Sequence, residues 1–249
     1  VQRRPTVLSY DHLIIALGSG SDLSRMPGLN EHAFTMKTLS DARRLRAHVI
    51  ERLEHADITR LPEVKKGALT FTVIGGGFSG IETVGEIKEL IDRSLCYYPN
   101  IQSSEIRVVV LEFADRILNE MSESLAGYAQ KNLIERGIEI QLGVGVAKCT
   151  GTQLVTTTNE IIDTRTIVAT IGNAPPSAVL KMPLAFQHGR ILVGRDFRVQ
   201  GYQNIWSIGD CALIPMKENA SHRDDFAPTN GAVCRAGGKA NCIQHQSSC

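Results

Sequence analysis

Gly75, Gly77 and Gly80 stand in the pattern Gly-x-Gly-x-x-Gly. That spacing carries chemistry in one setting, a turn between a strand and a helix. The first glycine then permits the sharp turn, the second lets a pyrophosphate approach the backbone, and the third lets helix pack on strand. The flanks supply the setting. Residues 68–74 are apolar and β-branched and read as a strand, and Ile81, Val84, Ile87, Leu90, Ile91 and Leu95 recur at helical spacing over about 79–95. The start of that helix offers unpaired N–H groups and a positive dipole end to phosphates. The plainer alternative is a glycine-rich connection that holds no ligand.

Two carboxylates accompany the turn. Glu112 closes the next apolar strand, 32 residues after Gly80, where a dinucleotide fold uses an acid to accept the adenosine ribose hydroxyls and repel a 2′-phosphate. It argues for NAD over NADP; otherwise it is a surface carboxylate at a strand end. The usual separation is about 20 residues, and a long helix with the loop 97–105 takes up the surplus. Arg116 could hold a 2′-phosphate instead, with Asp115 or solvent as its expected partner. Glu82 is read as lying in the helix's first turn, explained equally by the dipole or by a passing cofactor.

The elements that must position these residues alternate. Residues 10–18 read as a buried strand closed by glycine, 19–30 as loop, and Ser40-Asp41 as the start of an amphipathic helix carrying Leu39, Ala42, Leu45, Val49, Leu53 and Ala56. Residues 62–67 read as a linker. Strands at 106–112 and 138–142 flank a helix that begins at Ser122 and stops at Gly137. Short segments at 144–149, 153–157 and 160–162 suggest an antiparallel meander, and 166–171 a further strand. The alternation predicts an α/β fold with a parallel sheet. The tail offers strands at 190–193 and 204–208 and a closing helix at 231–244.

Composition excludes other classes. The chain has 249 residues, 43% hydrophobic and 21% charged, with a net charge of +1, within the ordinary globular range. That balance lacks the basic excess of a nucleic-acid binder. No apolar run approaches the roughly 20 residues of a membrane span. Cys96, Cys149, Cys211, Cys234, Cys242 and Cys249 are scattered without Cys-x-x-Cys spacing, which argues against a metal site and for free thiols. The first residue is Val1, followed by no signal-peptide pattern, so a processed protein or a piece of a longer one is expected.

Several stretches together resemble the flavoprotein reductases with two dinucleotide-binding domains, and most closely the type II NADH dehydrogenases. They are Tyr10-Asp11-His12-Leu13-Ile14-Ile15-Ala16-Leu17-Gly18-Ser19, Lys37-Thr38-Leu39-Ser40-Asp41-Ala42, residues 71–82 around the glycine turn, Arg116-Ile117-Leu118, Thr170-Ile171-Gly172-Asn173-Ala174-Pro175, and residues 204–212 ending in Ile208-Gly209-Asp210-Cys211-Ala212. The resemblance implies a Rossmann-like NAD-binding domain (67–173) inserted into an incomplete FAD-binding domain (1–66 and 174–249). It implies FAD and NADH as cofactors. A hydride passes from NADH to flavin and two electrons then reach a quinone. A soluble reductase of ferredoxin or another acceptor, and a non-catalytic dinucleotide-binding module, are the alternatives.

By the same resemblance, Glu82 lies near nicotinamide and flavin. Gly75, Gly77, Gly80, Glu112 and Gly172 belong to the NAD site, and Leu17 and Gly18 lie near the FAD diphosphate. Asp210, after Gly209, bonds the ribitol chain. From its residue type alone, Asp210 is either a ligand for sugar-alcohol hydroxyls or a helix N-cap. The family's first glycine motif has no counterpart before Tyr10. Asn230-Gly231 and Ala236 stand where the family has Ala-Gln and a later Gln near the quinone. A C-terminal amphipathic anchor is not seen. The chain is therefore expected to be a truncated fragment that binds NADH weakly and FAD poorly. The whole protein is expected to be peripheral at the cytoplasmic face of the membrane, and the family allows a homodimer.

Overall fold

A computed structural model of the chain describes residues 6–24, 26–221 and 225–227. Its strands are β1 Leu13–Ile15, β2 Gly20–Ser21, β3 Phe34–Thr35, β4 Thr70–Ile74, β5 Arg107–Glu112, β6 Ile138–Leu142, β7 Val146–Cys149, β8 Gln153–Thr156, β9 Ile161–Asp163, β10 Thr166–Ala169, β11 Asn173–Ala174, β12 Phe186–Gln187, β13 Arg190–Leu192, β14 Ile205–Ser207 and β15 Ala212–Leu213. Its helices are α1 Leu29–His32, α2 Leu39–Ile58, α3 Pro62–Ala68, α4 Phe78–Ser94, α5 Glu123–Glu135 and α6 Ser177–Leu180. They pack as two units, Val1–Gly20 with Asn173–Cys249, and Ser21–Gly172.

The unit 21–172 is built on a five-stranded parallel sheet in the order β3-β10-β4-β5-β6. Parallel strands covered on both faces read as continuous apolar runs, and β5 shows why. Val108 and Val110 pack with Leu45, Val49 and Leu53 of α2 and Val84, Ile87 and Ile91 of α4. Val109 and Leu111 turn the other way, onto Leu154 and Ile162 of the antiparallel meander β7-β8-β9. The expected parallel sheet and meander are therefore both present.

Helix α2 starts with a full capping box. Thr38 accepts from the Asp41 N–H at 3.2 Å while the Asp41 carboxylate accepts from the Thr38 N–H at 2.9 Å. Leu45, Val49, Leu53 and Ala56 are its buried stripe, whereas Leu39 is exposed. His48 fastens the helix to β10, with Nε2 3.0 Å from the Arg165 carbonyl and 3.1 Å from Thr166 Oγ1. Burial, with Arg52 nearby, holds its imidazole below the usual histidine range.

Three expectations about elements need correction, the first being the buried strand at 10–18, which is only β1, Leu13–Ile15, with Ile14 exposed. The supposed linker at 62–67 is helix α3, since Pro62 sits at the first helical position, where its missing N–H costs nothing. The supposed loop at 19–30 contains β2 and the start of α1. Packing also groups residues 21–66 with 67–172, a different division from the ligand-based one at 66 and 173. The ligand-based division stays a proposal. The closing helix expected at 231–244 lies outside the described residues.

In the other unit, β1 pairs in parallel with β14, matching Leu13 to Ile205 and Ile15 to Ser207. The strands β12, β13 and β15 form a second small sheet. Ile15, Val179, Ile191, Val193, Val199, Ile205, Cys211 and Ala212 make its core.

Candidate dinucleotide-binding site

The three glycines have three different physical reasons to be glycine. Gly75 has φ +108°, a backbone that side chains avoid, and its N–H donates to the Leu111 carbonyl at 2.9 Å. Gly80 is excluded by packing: a Cβ there would drive into the Gly75 carbonyl and stand 2.8 Å from Thr170 Oγ1. Gly77 has φ −74° and is the N-cap of α4, and nothing lies within 4 Å of where its Cβ would be. Neither its backbone nor its neighbours require glycine. The space beside Gly77 is open. Gly77 gives α4 no side-chain cap, and the N–H groups of its first turn have no partner within the helix.

Glu112 reaches back to this turn. Its Oε2 accepts from the Gly76 N–H, and its Oε1 accepts from the Ala114 N–H at 2.8 Å. A carboxylate offers about four acceptor positions, and these two donors occupy two of them. Despite the long separation in sequence, β4 and β5 are direct neighbours, and their pairing of Ile74 with Leu111 brings the acid to the glycines.

Sequence reasoning missed two supports. Thr170, at the end of β10, donates its hydroxyl to the Ile74 carbonyl at 2.9 Å and fills the space left by Gly75 and Gly80. Leu118 takes φ +50° and is buried, and its N–H donates to the Gly76 carbonyl at 2.8 Å. Both lie in stretches matched by the resemblance, which was the only signal available for them. Arg116 binds the Asn119 carbonyl at 3.0 Å and stands 3.8 Å from Glu123, instead of pairing with Asp115.

Glu82 is exposed on α4. The helix begins at Phe78, so Glu82 is its fifth residue, and the first turn holds no acid. The first-turn dipole explanation for Glu82 is thereby withdrawn. Its carboxylate borders a surface depression shared with Glu86, Leu133 and Arg136. Gly172 has φ +80° and accepts from the Asp22 N–H at 2.6 Å, where a Cβ would strike the Asp22 carbonyl.

In the other unit, Ser19 donates its hydroxyl to Asp210 Oδ2 at 3.0 Å. Asp210 lies inside a short 3-10 turn, Gly209–Cys211, whose cap is Ile208, so the N-cap explanation falls. Gly18 and Gly209 have φ +65° and +71°, with open space at both Cβ positions, and Leu17 is exposed. This set offers one carboxylate, one hydroxyl and two unobstructed backbone approaches. Sequence reasoning did not pair Ser19 with Asp210.

A parallel sheet with a glycine turn opening a helix and an acid closing the next strand defines an α/β dinucleotide-binding protein. Residues 2–227 match the pyridine nucleotide-disulphide oxidoreductase family, and the chain belongs to it. It is 31% identical over 220 residues to the external alternative NAD(P)H-ubiquinone oxidoreductase B2, mitochondrial, of Arabidopsis thaliana, covering 85% of this chain and 38% of that protein. It is 29% identical to the type II NADH:quinone oxidoreductase of Staphylococcus epidermidis, covering 85% and 53%. The structure of NDH2 from Plasmodium falciparum in complex with NADH superposes with a TM-score of 0.76 at 24% identity, over 83% of this chain and 45% of that one. That likeness bears on the fold. The chain spans about half the length or less of these relatives.

Proposed function

We propose that this chain supplies the NADH site and part of the FAD site of an NADH:quinone oxidoreductase. The observation that carries the reading is Gly77, a glycine with ordinary φ and empty space where a side chain would be, at the uncapped start of α4. Gly75 and Gly80 shape the turn, the α4 N–H groups bind the pyrophosphate, and Glu112 accepts the ribose hydroxyls. A 2′-phosphate would place its negative charge against Glu112, so NADH is preferred to NADPH.

Asp210 and Ser19 fit a ribitol chain, with Gly18 and Leu17 toward the diphosphate and Gly209 completing the turn. Gly172 lines the NAD side. Glu82 is assigned to the neighbourhood of the nicotinamide, where its carboxylate bears on reactant placement. The chemistry that a bound flavin supplies is acceptance of a hydride from NADH and release of two electrons to a quinone. The names of the relatives support quinone as acceptor. Peripheral attachment at the cytoplasmic face of a membrane and a homodimer belong to the same proposal for the whole protein. Among the described residues, no helix is long and apolar enough to cross a membrane.

The test is a titration of this chain with NADH and NADPH, followed by desalting after incubation with FAD. NADH is expected to bind, weakly but more tightly than NADPH, and flavin absorbance near about 450 nm to remain below one equivalent. Equal affinity for NADPH would overturn the role of Glu112. Stoichiometric FAD would overturn the reading of a partial flavin site.

A further inference from the structure

The peptide between Ile74 and Gly75 is held from both sides. Its N–H donates to the Leu111 carbonyl at 2.9 Å, and its carbonyl accepts from the Thr170 N–H at 3.0 Å. Those two bonds pair both of its polar groups. The carbonyl nonetheless takes a second donor, the Thr170 hydroxyl, at 2.9 Å. The hydroxyl oxygen also stands 3.4 Å from the Gly75 carbonyl. It lies 2.8 Å from where a Cβ would stand on Gly75, and 2.8 Å from where one would stand on Gly80. One hydroxyl therefore seats both the glycine that leaves β4 and the glycine in the first turn of α4.

Strand pairing does not call for this hydroxyl, because the main chain already satisfies the Ile74 carbonyl. What the hydroxyl adds is a tie across the two ends of the turn. The other ties lie between those ends. Gly76 donates its N–H to the Glu112 carboxylate, and its carbonyl accepts from the Leu118 N–H at 2.8 Å. With Gly75, Gly76 and Gly80 fixed, the peptides leading into α4 are fixed, and with them the direction of its first N–H groups. A hydrogen bond weakens steeply as its angle closes, so donors that tilt hold an anion less well.

We propose that Thr170 is a positioning residue for dinucleotide binding. Its hydroxyl holds Gly75 and Gly80 so that the first N–H groups of α4 face the pyrophosphate together. It acts through the turn, not by contact with the ligand. The inference rests on reading the glycine turn as the nucleotide site.

The probe is ADP-ribose, which carries the pyrophosphate, titrated by calorimetry into each variant, with urea unfolding as the check that the variant is folded. Thr170→Val keeps the shape and removes the hydroxyl. Thr170→Ala removes the methyl as well and serves where valine does not fit. Either folded variant is expected to bind ADP-ribose about 3- to 10-fold more weakly, the scale of one lost hydrogen bond. Thr170→Ser, which keeps the hydroxyl, should bind within about twofold of the native chain. Val49→Ala, in the buried stripe of α2, should lower stability and leave the affinity unchanged. Native affinity in Thr170→Val or Thr170→Ala, while Gly77→Val has lost it, would overturn the role of Thr170 and leave the site standing. An equal loss in Thr170→Ser would also overturn it, because the hydroxyl would then not be the part that matters. So would an equal loss in Val49→Ala, because affinity would then merely follow stability. If the native chain does not bind ADP-ribose, or Gly77→Val binds it unchanged, the site reading fails and the role of Thr170 fails with it.

Discussion

The two units each present a carboxylate beside a left-handed glycine, but they assemble it differently. In the unit 21–172, Glu112 is held by two backbone N–H groups, and the turn it holds is also tied by Leu118 and Thr170. In the other, Asp210 accepts from the Ser19 hydroxyl, 191 positions away in sequence. The first arrangement is made by adjacent strands of one sheet, and its turn is tied by hydrogen bonds within that unit. The second is a meeting of two segments distant in sequence, in which Ser19 takes one acceptor position of Asp210 among the described residues. Under the proposed function, the tied turn presents backbone N–H groups to a pyrophosphate, and the more open carboxylate presents acceptors to hydroxyls.

That contrast can be broken most severely at Gly80. Gly80→Ala would put a methyl group against the Gly75 carbonyl and Thr170 Oγ1. Such overpacking of backbone on backbone is expected to cost about 3 kcal/mol in urea unfolding. A near-neutral result would show that the turn is not tightly held.

Glu112→Gln comes next. An amide keeps one acceptor oxygen and turns an N–H₂ toward a backbone donor, so a loss of about 1–3 kcal/mol of stability is expected, with a reduced preference for NADH over NADPH. Loss of preference alone would mean that the backbone does not depend on the acid. Ser19→Ala is expected to cost about 0.5–1.5 kcal/mol, below the usual range for a hydrogen bond to a charged group because water can replace the hydroxyl at a part-buried carboxylate. A larger loss, in the same denaturation assay, would make the second site as rigid as the first.

The smallest effect is a slope with pH. The folded His48 imidazole titrates below its unfolded value, so the unfolded chain takes up that proton first as pH falls. Its contribution to stability is full above the unfolded value of about 6.5 and declines as pH drops through it toward the folded value. His48→Gln, which retains a donor for the Arg165 carbonyl, should flatten that slope. A slope unchanged by this substitution would place the titrating group elsewhere.

The same contrast explains what could be read in advance. The glycine turn, its strand and its helix are contiguous, and the apolar periodicity of α4 and β5 reports directly on their burial, so their order was legible. Leu45, Val49, Leu53 and Ala56 were legible for the same reason. Helix α3 was not, because Pro62 and Gly67 look like breakers until the structure shows one at the first helical position and the other near the end. Thr170 and Ser19 act through tertiary contacts whose partners are about a hundred residues away or more. Polar residues of that kind leave no periodic trace. Glu82 was misplaced by one helix residue, enough to move it out of the first turn.

The central claim is that the space at Gly77 is kept for the pyrophosphate of NADH. Its most direct test is a calorimetric titration of NADH into the native chain and into Gly77→Val. Cβ atoms at 77 meet nothing in the protein, so the variant should fold with a stability change of no more than about 1 kcal/mol, the scale of an N-cap substitution. The native chain should bind NADH, and the folded variant should show no measurable binding. Equal NADH affinity in the two proteins would contradict it.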